Sequence, residues 1–219
     1  MSDISYDKRN SVYCYKNTNI LINKLDILDI EKLNKYERDI TQYKLAILED
    51  EGIIGNFDIK HFLNIHKFLF DEIYPFAGET RVENISKDNF EFADYKYIDE
   101  ELSRLLKNLK KQEFLHKMDK ADLAYGIANL MADLNVLHPF REGNGRTIRE
   151  FARELALENN YYLNYGKMNK DELLKAQVKS VMDTYDLAKL IWENLDPVPE
   201  EEKIKQIPHQ EEGKEEDFS

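Results

Sequence analysis

Cysteine occurs once in the 219 residues, at Cys14. One thiol cannot build an intrachain disulfide or a cysteine-based zinc cluster, and such sparse use fits a reducing cytoplasm or simply a cysteine-poor protein. No run of about 18 apolar residues is present, so no membrane span is expected. The opening Met1-Ser2-Asp3-Ile4 lacks the basic and apolar regions of a secretory signal. The expected location is therefore cytoplasmic, with export as an effector still compatible. Positive charge is also scarce: 31 Lys and Arg stand against 43 Asp and Glu, a formal net charge of −12. Sequence-independent binding to nucleic acid rests on cations that neutralise phosphates, so that partner is excluded. What is present suits one compact unit: 42% apolar residues suffice for a core and 34% charged residues for a solvated surface.

The scarce arginines are not spread evenly. Four of the 8 (Arg141, Arg146, Arg149 and Arg153) fall within 13 residues, together with two of the 8 glycines, Gly143 and Gly145. Between His138 and Arg153 the formal charge is +2, inside a chain at −12. Arginine makes forked contacts to phosphate oxygens. Glycine lets backbone N–H groups approach an anion.

The surrounding pattern is helical. Leu33, Tyr36, Ile40, Tyr43 and Ile47 predict one face of a helix over 28–50, stopped by Gly52 and Gly55. Asp58 is the expected cap of a second helix, with Phe62, Ile65, Leu69 and Phe70 on its face. Alternation at Val82–Ile85 and Phe90–Phe92, around Asp88-Asn89, predicts a short hairpin. Helical periodicity resumes at Ile98–Leu109. Asp119 should cap a long buried helix carrying Leu123, Ile127, Leu130, Met131, Leu134 and Leu137, with Ala121, Ala124, Ala128 and Ala132 allowing close packing. Pro139 ends it, and a further helix should run from about Gly145 to Asn159-Asn160. Asn169 with Glu172 resembles a capping box, and Tyr185–Leu195 reads as the last helix.

The last 23 residues contain three of the five prolines and carry a net charge of −5. The composition predicts a disordered acidic tail over 197–219. The expected organisation is an N-terminal arm (1–27), an all-α domain (28–196) with a flap at about 82–92 and a loop at 138–149, and that tail.

The loop reads as phosphate chemistry. A helix starting near Gly145 presents unpaired N–H groups, and the Gly143-Asn144-Gly145 turn feeds into them. Arg146 and Arg149, three apart, share a face and can reach one polyphosphate. Glu142 supplies a hard oxygen for Mg²⁺, which takes one or two carboxylates and completes its shell with water and phosphate. His138 is suited to accept a proton, and Phe140 reads as a core anchor. Singly, a histidine after a helix or an arginine on its surface is ordinarily structural. Their joint occurrence over twelve residues points to a site. It is not a Walker A loop, which requires Gly-Lys-Ser/Thr.

The string HPFREGNGRTIR, residues 138–149, matches His-x-Phe-x-Asp/Glu-Gly-Asn-Gly-Arg-x-x-Arg at every specified position. It thereby resembles the Fic domain. YKNTNILINKL (15–25), Gly55-Asn56-Phe57, Tyr74-Pro75-Phe76-Ala77-Gly78 and Ile85-Ser86-Lys87 are similar to other segments of that family, so the resemblance spans roughly 10–195. It implies a helical bundle with a β-hairpin flap, and transfer of AMP from ATP to a Tyr, Ser or Thr hydroxyl of a target protein. It implies His138 as the base and Glu142 as the Mg²⁺ ligand. Gly143, Asn144 and Gly145 would form the phosphate cradle, Arg146 would stabilise the departing pyrophosphate, and Arg149 would orient the γ-phosphate. Ile85, Ser86 and Lys87 on the flap would position the target through main-chain pairing.

The other readings are a Doc-like phosphotransferase, transfer from another nucleotide donor such as a CDP-linked alcohol, and a nucleotide-binding module without catalysis. Gly145 departs from the Doc branch, and a pure binder needs no base. Many Fic enzymes carry an inhibitory Ser/Thr-x-x-x-Glu helix, and no Ser or Thr in this chain has Glu four positions later. Either a separate small antitoxin supplies that helix, the acidic tail offers a glutamate instead, or the control is absent. His61, His66, His116 and His209 form no ligand constellation in the sequence and read as structural or surface residues.

Overall fold

In the computed structural model, the structure describes residues 4–5, 11–87 and 90–202. Side-chain oxygens start four of its helices. Asp29 accepts from Glu31 N and Lys32 N at the head of α1 (Ile30–Glu51). Asp58 accepts from His61 N before α2 (Ile59–Phe70), and Asp119 from Ala121 N and Asp122 N before α4 (Lys120–Leu137). Asn169 accepts from Asp171 N and Glu172 N before α6 (Lys170–Lys179). Each satisfies donors that a helix terminus otherwise leaves open. The remaining helices are α3 (Ile98–Lys111), α5 (Asn144–Glu158) and α7 (Tyr185–Glu193).

Helix α4 runs through the middle, packed against α5 and α7, while α2 lies on α5 and α1 on α2. Its expected face is buried throughout: Leu123, Ile127, Leu130, Met131, Leu134 and Leu137 all sit in the core with Ala124, Ala128 and Ala132. Ala121 is exposed, because it lies in the first turn before the helix enters the core. Phe62 stacks on Phe140 with ring centroids 5.3 Å apart and meets Phe151 edge-on at 5.2 Å, which joins α2, the 138–143 loop and α5.

The buried face of α1 is the expected one only in part: Leu33 is buried as expected, and Tyr36 and Ile40 are partly buried and pack against the core. Leu33, Glu37, Thr41, Lys44 and Leu48 are buried, whereas Tyr43 is 66% exposed. Periodicity alone selected the apolar stripe one position away. The true stripe is polar in its middle because each polar group has a partner: Lys44 Nζ lies 2.7 Å from Asp71 and 2.9 Å from Glu72, and Glu37 and Thr41 meet the site described below.

The sheets are small. β1 (Ile4–Ser5), β2 (Ser86–Lys87) and β3 (Phe90–Glu91) form an antiparallel sheet in the order β1-β2-β3, with Ile4 opposite Lys87 and Ser86 opposite Glu91. β4 (Tyr161–Leu163) pairs with β5 (Leu195–Pro197). The hairpin therefore begins four residues after Val82, which is exposed in a bend. The acidic segment also starts later than composition placed it. Pro197 lies within β5, and Val198 is buried with its N–H donated to Asn160 O at 2.9 Å. Residues 203–219, including His209, lie outside the described residues. At the other end, Cys14 and Leu21 are core residues, and Lys24 N donates to Ile73 O, so the stretch from 11 to 27 packs onto the helical body.

Candidate active site

Residues 138–149 connect α4 to α5. His138 caps α4 in a left-handed conformation (φ 48°), which turns the chain sharply out of the helix. Arg81 fixes that turn: its buried guanidinium donates to the carbonyls of His138 (2.8 Å), Leu137 (3.2 Å), Glu83 (2.8 Å) and Ala93 (2.5 Å). One planar fork thus ties the loop to both roots of the flap. Burial lowers the Arg81 pKa to about 10.

Phe140 is fully buried, and its ring lies 3.8 Å from that of His66, nearly parallel at 9°. His66 Nδ1 accepts from Gly78 N at 2.8 Å, so Nε2 carries the proton and donates to Glu142 O at 3.0 Å. Burial, opposed in part by that bond, lowers the His66 pKa to about 4, and the ring stays neutral.

Asn144 turns inward. Its Nδ2 donates to Phe140 O (2.7 Å) and its Oδ1 accepts from Phe140 N (2.8 Å), closing the loop on itself. Its amide is therefore committed to the loop, and only its backbone faces the task expected of a phosphate cradle. Gly143 has φ +83°, and a Cβ there would lie 2.3 Å from the Phe70 ring. At Gly145 a Cβ would come within 3.2 Å of Arg149 Nη1, so the bare backbone leaves that guanidinium room. No side chain caps α5; Arg146 N and Thr147 N turn back to Gly143 O (3.2 and 3.1 Å), and the N–H groups of Asn144 and Gly145 remain for an anion.

The His138 ring stacks on Phe92 of the flap (3.8 Å, 19°), and Nδ1 lies 3.2 Å from Asn135 O. A carbonyl accepts, so Nδ1 holds the proton and Nε2 keeps its lone pair. Burial is the main reason its pKa falls to about 3, followed by the Asn135 bond, which opposes the fall, and by the charges of Arg81 and Lys87. The imidazole is neutral at physiological pH.

Glu142 Oε1 accepts from Gly143 N at 2.9 Å and lies 3.4 Å from Arg146 Nη2. Oε2 has no hydrogen bond or ion pair among the described residues. Burial, then the nearby Glu37 charge, raises the Glu142 pKa. No group of three or more His, Cys, Asp or Glu is arranged to hold a metal ion among the described residues. One carboxylate oxygen with an uncommitted partner nonetheless fits Mg²⁺, whose remaining positions are filled by water and phosphate.

The two arginines differ. Arg146 is held by Glu37 Oε1 (Nη2, 2.5 Å) and Thr41 Oγ1 (Nη1, 3.1 Å), with Cζ 4.7 Å from the Phe70 ring centre. Arg149 is partly buried on the same helix and has no carboxylate partner among the described residues, and burial depresses its pKa. Arg141 and Arg153, the other members of the cluster, are occupied elsewhere: Arg141 lies 3.5 Å from Glu83, and Arg153 is paired to Glu150 at 2.7 Å.

On the flap, the Ile85 side chain is buried and anchors the hairpin. Ser86 and Lys87 form β2, and β1 already pairs with them. The strand edge expected to receive a target is therefore covered by residues 4–5 of the same chain, and β3 is the open edge of the hairpin among the described residues.

Sequence reasoning did not single out Glu37, Thr41 or Arg81, placed Tyr74 only within a family-like segment, and read His66 as structural or surface. Glu37, Thr41 and Lys44, at i, i+4 and i+7 between Leu33 and Leu48, form a polar stripe whose spacing was the available signal. Among the remaining histidines, His61 Nε2 pairs with Glu154 at 2.7 Å in the core, and His116 lies 3.3 Å from Glu158.

The Fic/DOC family model matches residues 56–156. Over 191 residues the chain is 35% identical to protein adenylyltransferase VbhT of Bartonella schoenbuchensis, covering 87% of this chain but only 40% of VbhT. It is 31% identical to "Probable protein adenylyltransferase y4lH" of Sinorhizobium fredii, covering 87% of this chain and 97% of that protein. The fold is similar to the N-terminal Fic domain of a VirB-translocated Bep effector protein with bound ADP from Bartonella quintana, with TM-score 0.78, 26% identity, and 85% and 95% of the two chains covered.

Proposed function

This chain belongs to the Fic/DOC family, and from that premise we propose that it is a protein adenylyltransferase that moves AMP from ATP to a Tyr, Ser or Thr hydroxyl of a target protein. The observation that carries the reading is an anion seat that keeps donors unspent at Asn144 N, Gly145 N and the Arg149 guanidinium. Helix α5 starts without a side-chain cap, and Arg149 on its first turns has no carboxylate partner among the described residues.

In this reading the polyphosphate lies over Gly143-Asn144-Gly145, where backbone N–H groups and the helix terminus receive its oxygens. Arg149 receives the γ-phosphate. Neutral His138 Nε2 takes the proton of the target hydroxyl as its oxygen bonds to the α-phosphorus. The bond from that phosphorus to the oxygen bridging to the β-phosphorus breaks, and pyrophosphate leaves with the charge of that oxygen. Arg146 sits where that charge is neutralised. The Asn135 carbonyl keeps the imidazole in the tautomer the step needs, and the Phe92 stack holds its plane. Glu142 would hold Mg²⁺, which would supply positive charge to offset that of the polyphosphate.

ADP in the B. quintana relative supports a nucleotide in this seat. An unpaired Arg149 also suits control in trans, in which a glutamate from a small antitoxin takes the place of the γ-phosphate. No helix among the described residues is long and apolar enough to cross a membrane. Intact-mass analysis of acceptor proteins after incubation with ATP and Mg²⁺ tests the reading. Wild-type protein should add one AMP unit, and His138→Ala should add none while still binding ATP. Full transfer by His138→Ala would refute the base assignment.

A further inference from the structure

Glu37 lies on α1, 109 positions before Arg146, yet its carboxylate makes the shortest contact to that guanidinium. We propose that Glu37 is the positioning residue of Arg146: it holds the guanidinium in its working orientation, so that the arginine stays aimed when Glu142 is engaged by a cation. The proposal rests on the adenylyl-transfer reading above, which assigns Arg146 to the leaving pyrophosphate.

Four contacts define the hold. Nη2 is 2.5 Å from Glu37 Oε1 but 3.4 Å from Glu142 Oε1, so Glu37 is the primary partner and Glu142 the looser one. Nη1 reaches Thr41 Oγ1 at 3.1 Å. The Thr41 hydroxyl spends its own proton on Glu37 O at 2.8 Å, which leaves a lone pair for the arginine. The Phe70 ring lies beneath the guanidinium. The second carboxylate oxygen of Glu37 accepts a hydrogen bond from the Tyr74 hydroxyl, which fixes the plane of the carboxylate. Burial, then the charge of Glu37, pushes the Tyr74 pKa up, so the phenol remains a donor. Fixed on two nitrogens and one face, Arg146 loses little further freedom when it meets phosphate.

A purely structural role, strapping α1 to α5, is already filled by other contacts. Arg153 Nη2 donates to Leu48 O at 2.9 Å, and Ile53 N just beyond α1 donates to Glu154 at 3.1 Å. Lys44 ties α1 to the end of α2 through Phe68 O and Asp71, both at 2.7 Å. Docking of α1 therefore does not need Glu37, whereas the aim of Arg146 does.

The test is a double-mutant cycle on full-length protein, with kcat and KM for ATP measured for Glu37→Ala, Arg146→Ala and the double variant. Glu37→Ala should lower kcat on the order of 10- to 100-fold with KM for ATP within about threefold. In the Arg146→Ala background it should cause no further loss. An equal fold loss in both backgrounds, or a wild-type kcat in folded Glu37→Ala, would overturn the proposal. Should Glu37→Ala fail to fold, Glu37→Gln replaces it in the same cycle: it keeps the volume and one oxygen, and its smaller loss should likewise vanish without Arg146. A second readout needs no activity. Nitrogen NMR should give distinct Arg146 Nη1 and Nη2 signals in wild type and an averaged signal in the Glu37 variant; averaging in wild type would overturn the proposal. Distinct signals in a protein that transfers no AMP would instead refute the adenylyl-transfer reading and leave the positioning intact.

Discussion

The His66 ring lies flat against that of Phe140, centroids 3.8 Å apart, while its two nitrogens hold Gly78 N–H and Glu142 C=O. One neutral side chain from α2 therefore supports the 138–149 loop by stacking and by two partly buried hydrogen bonds. Replacing it with leucine would leave both backbone groups unpaired, at a cost of about 2–5 kcal/mol. His66→Phe retains the stack and loses the bonds. Urea unfolding should find both variants destabilised, with His66→Phe the milder. A wild-type midpoint for His66→Leu would contradict this role.

His66 and His138 should also make stability depend on pH. Their folded pKa values are lowered, to about 4 and about 3, whereas an unfolded histidine titrates near 6.5. Below pH 6.5 the unfolded chain takes up protons that the native state refuses, so stability falls as pH falls and is fully present above 6.5. Each histidine contributes a slope of about 1.4 kcal/mol per pH unit between those values. Denaturant melts from pH 7 to pH 4.5 should show the decline, and it should be shallower in a folded His66→Gln variant. An equal slope would remove His66 from the explanation.

At Gly143 two independent effects oppose any side chain: φ of +83° and a Cβ position 2.3 Å from Phe70. Gly143→Ala should lose at least about 1–2 kcal/mol from the backbone conformation alone. Shrinking the ring should not restore it fully, so a Phe70→Leu, Gly143→Ala double variant should remain less stable than Phe70→Leu. Thermal unfolding of the pair checks this, and equal melting temperatures would contradict it.

Much of this was legible in the sequence because it is local. Caps at Asp58, Asp119 and Asn169, the buried face of α4 and the 138–149 loop all follow from residues a few positions apart. What was not legible depends on partners distant in the chain. A polar stripe at Glu37, Thr41 and Lys44 reads as a solvent face until Arg146, Tyr74 and Asp71 are brought against it. Arg81 was an isolated arginine, and only the fold reveals the four carbonyls around it. The hairpin was recognised but placed early, since alternation at 82–85 reflects the bend leading to buried Ile85 and not ladder pairing. Pairing of residues 4–5 with β2 had no sequence signal at all.

That pairing carries its own expectation. Removing residues 1–10 uncovers the outer edge of β2, which then resembles an unpaired template for an extended target segment. Hydrogen exchange should become faster at one or both of the Ser86 and Lys87 amides in the shortened chain. Unchanged protection at both would show that β1 does not cover the edge in solution.

The most direct test of adenylyl transfer is the fate of the label from two forms of ATP. Incubated with Mg²⁺ and a pool of acceptor proteins, the wild-type chain should place label on protein from ATP labelled at the α-phosphate and none from ATP labelled at the γ-phosphate, with the α-label lost in His138→Ala. Protein label from the γ-phosphate would contradict the account and point to phosphoryl transfer.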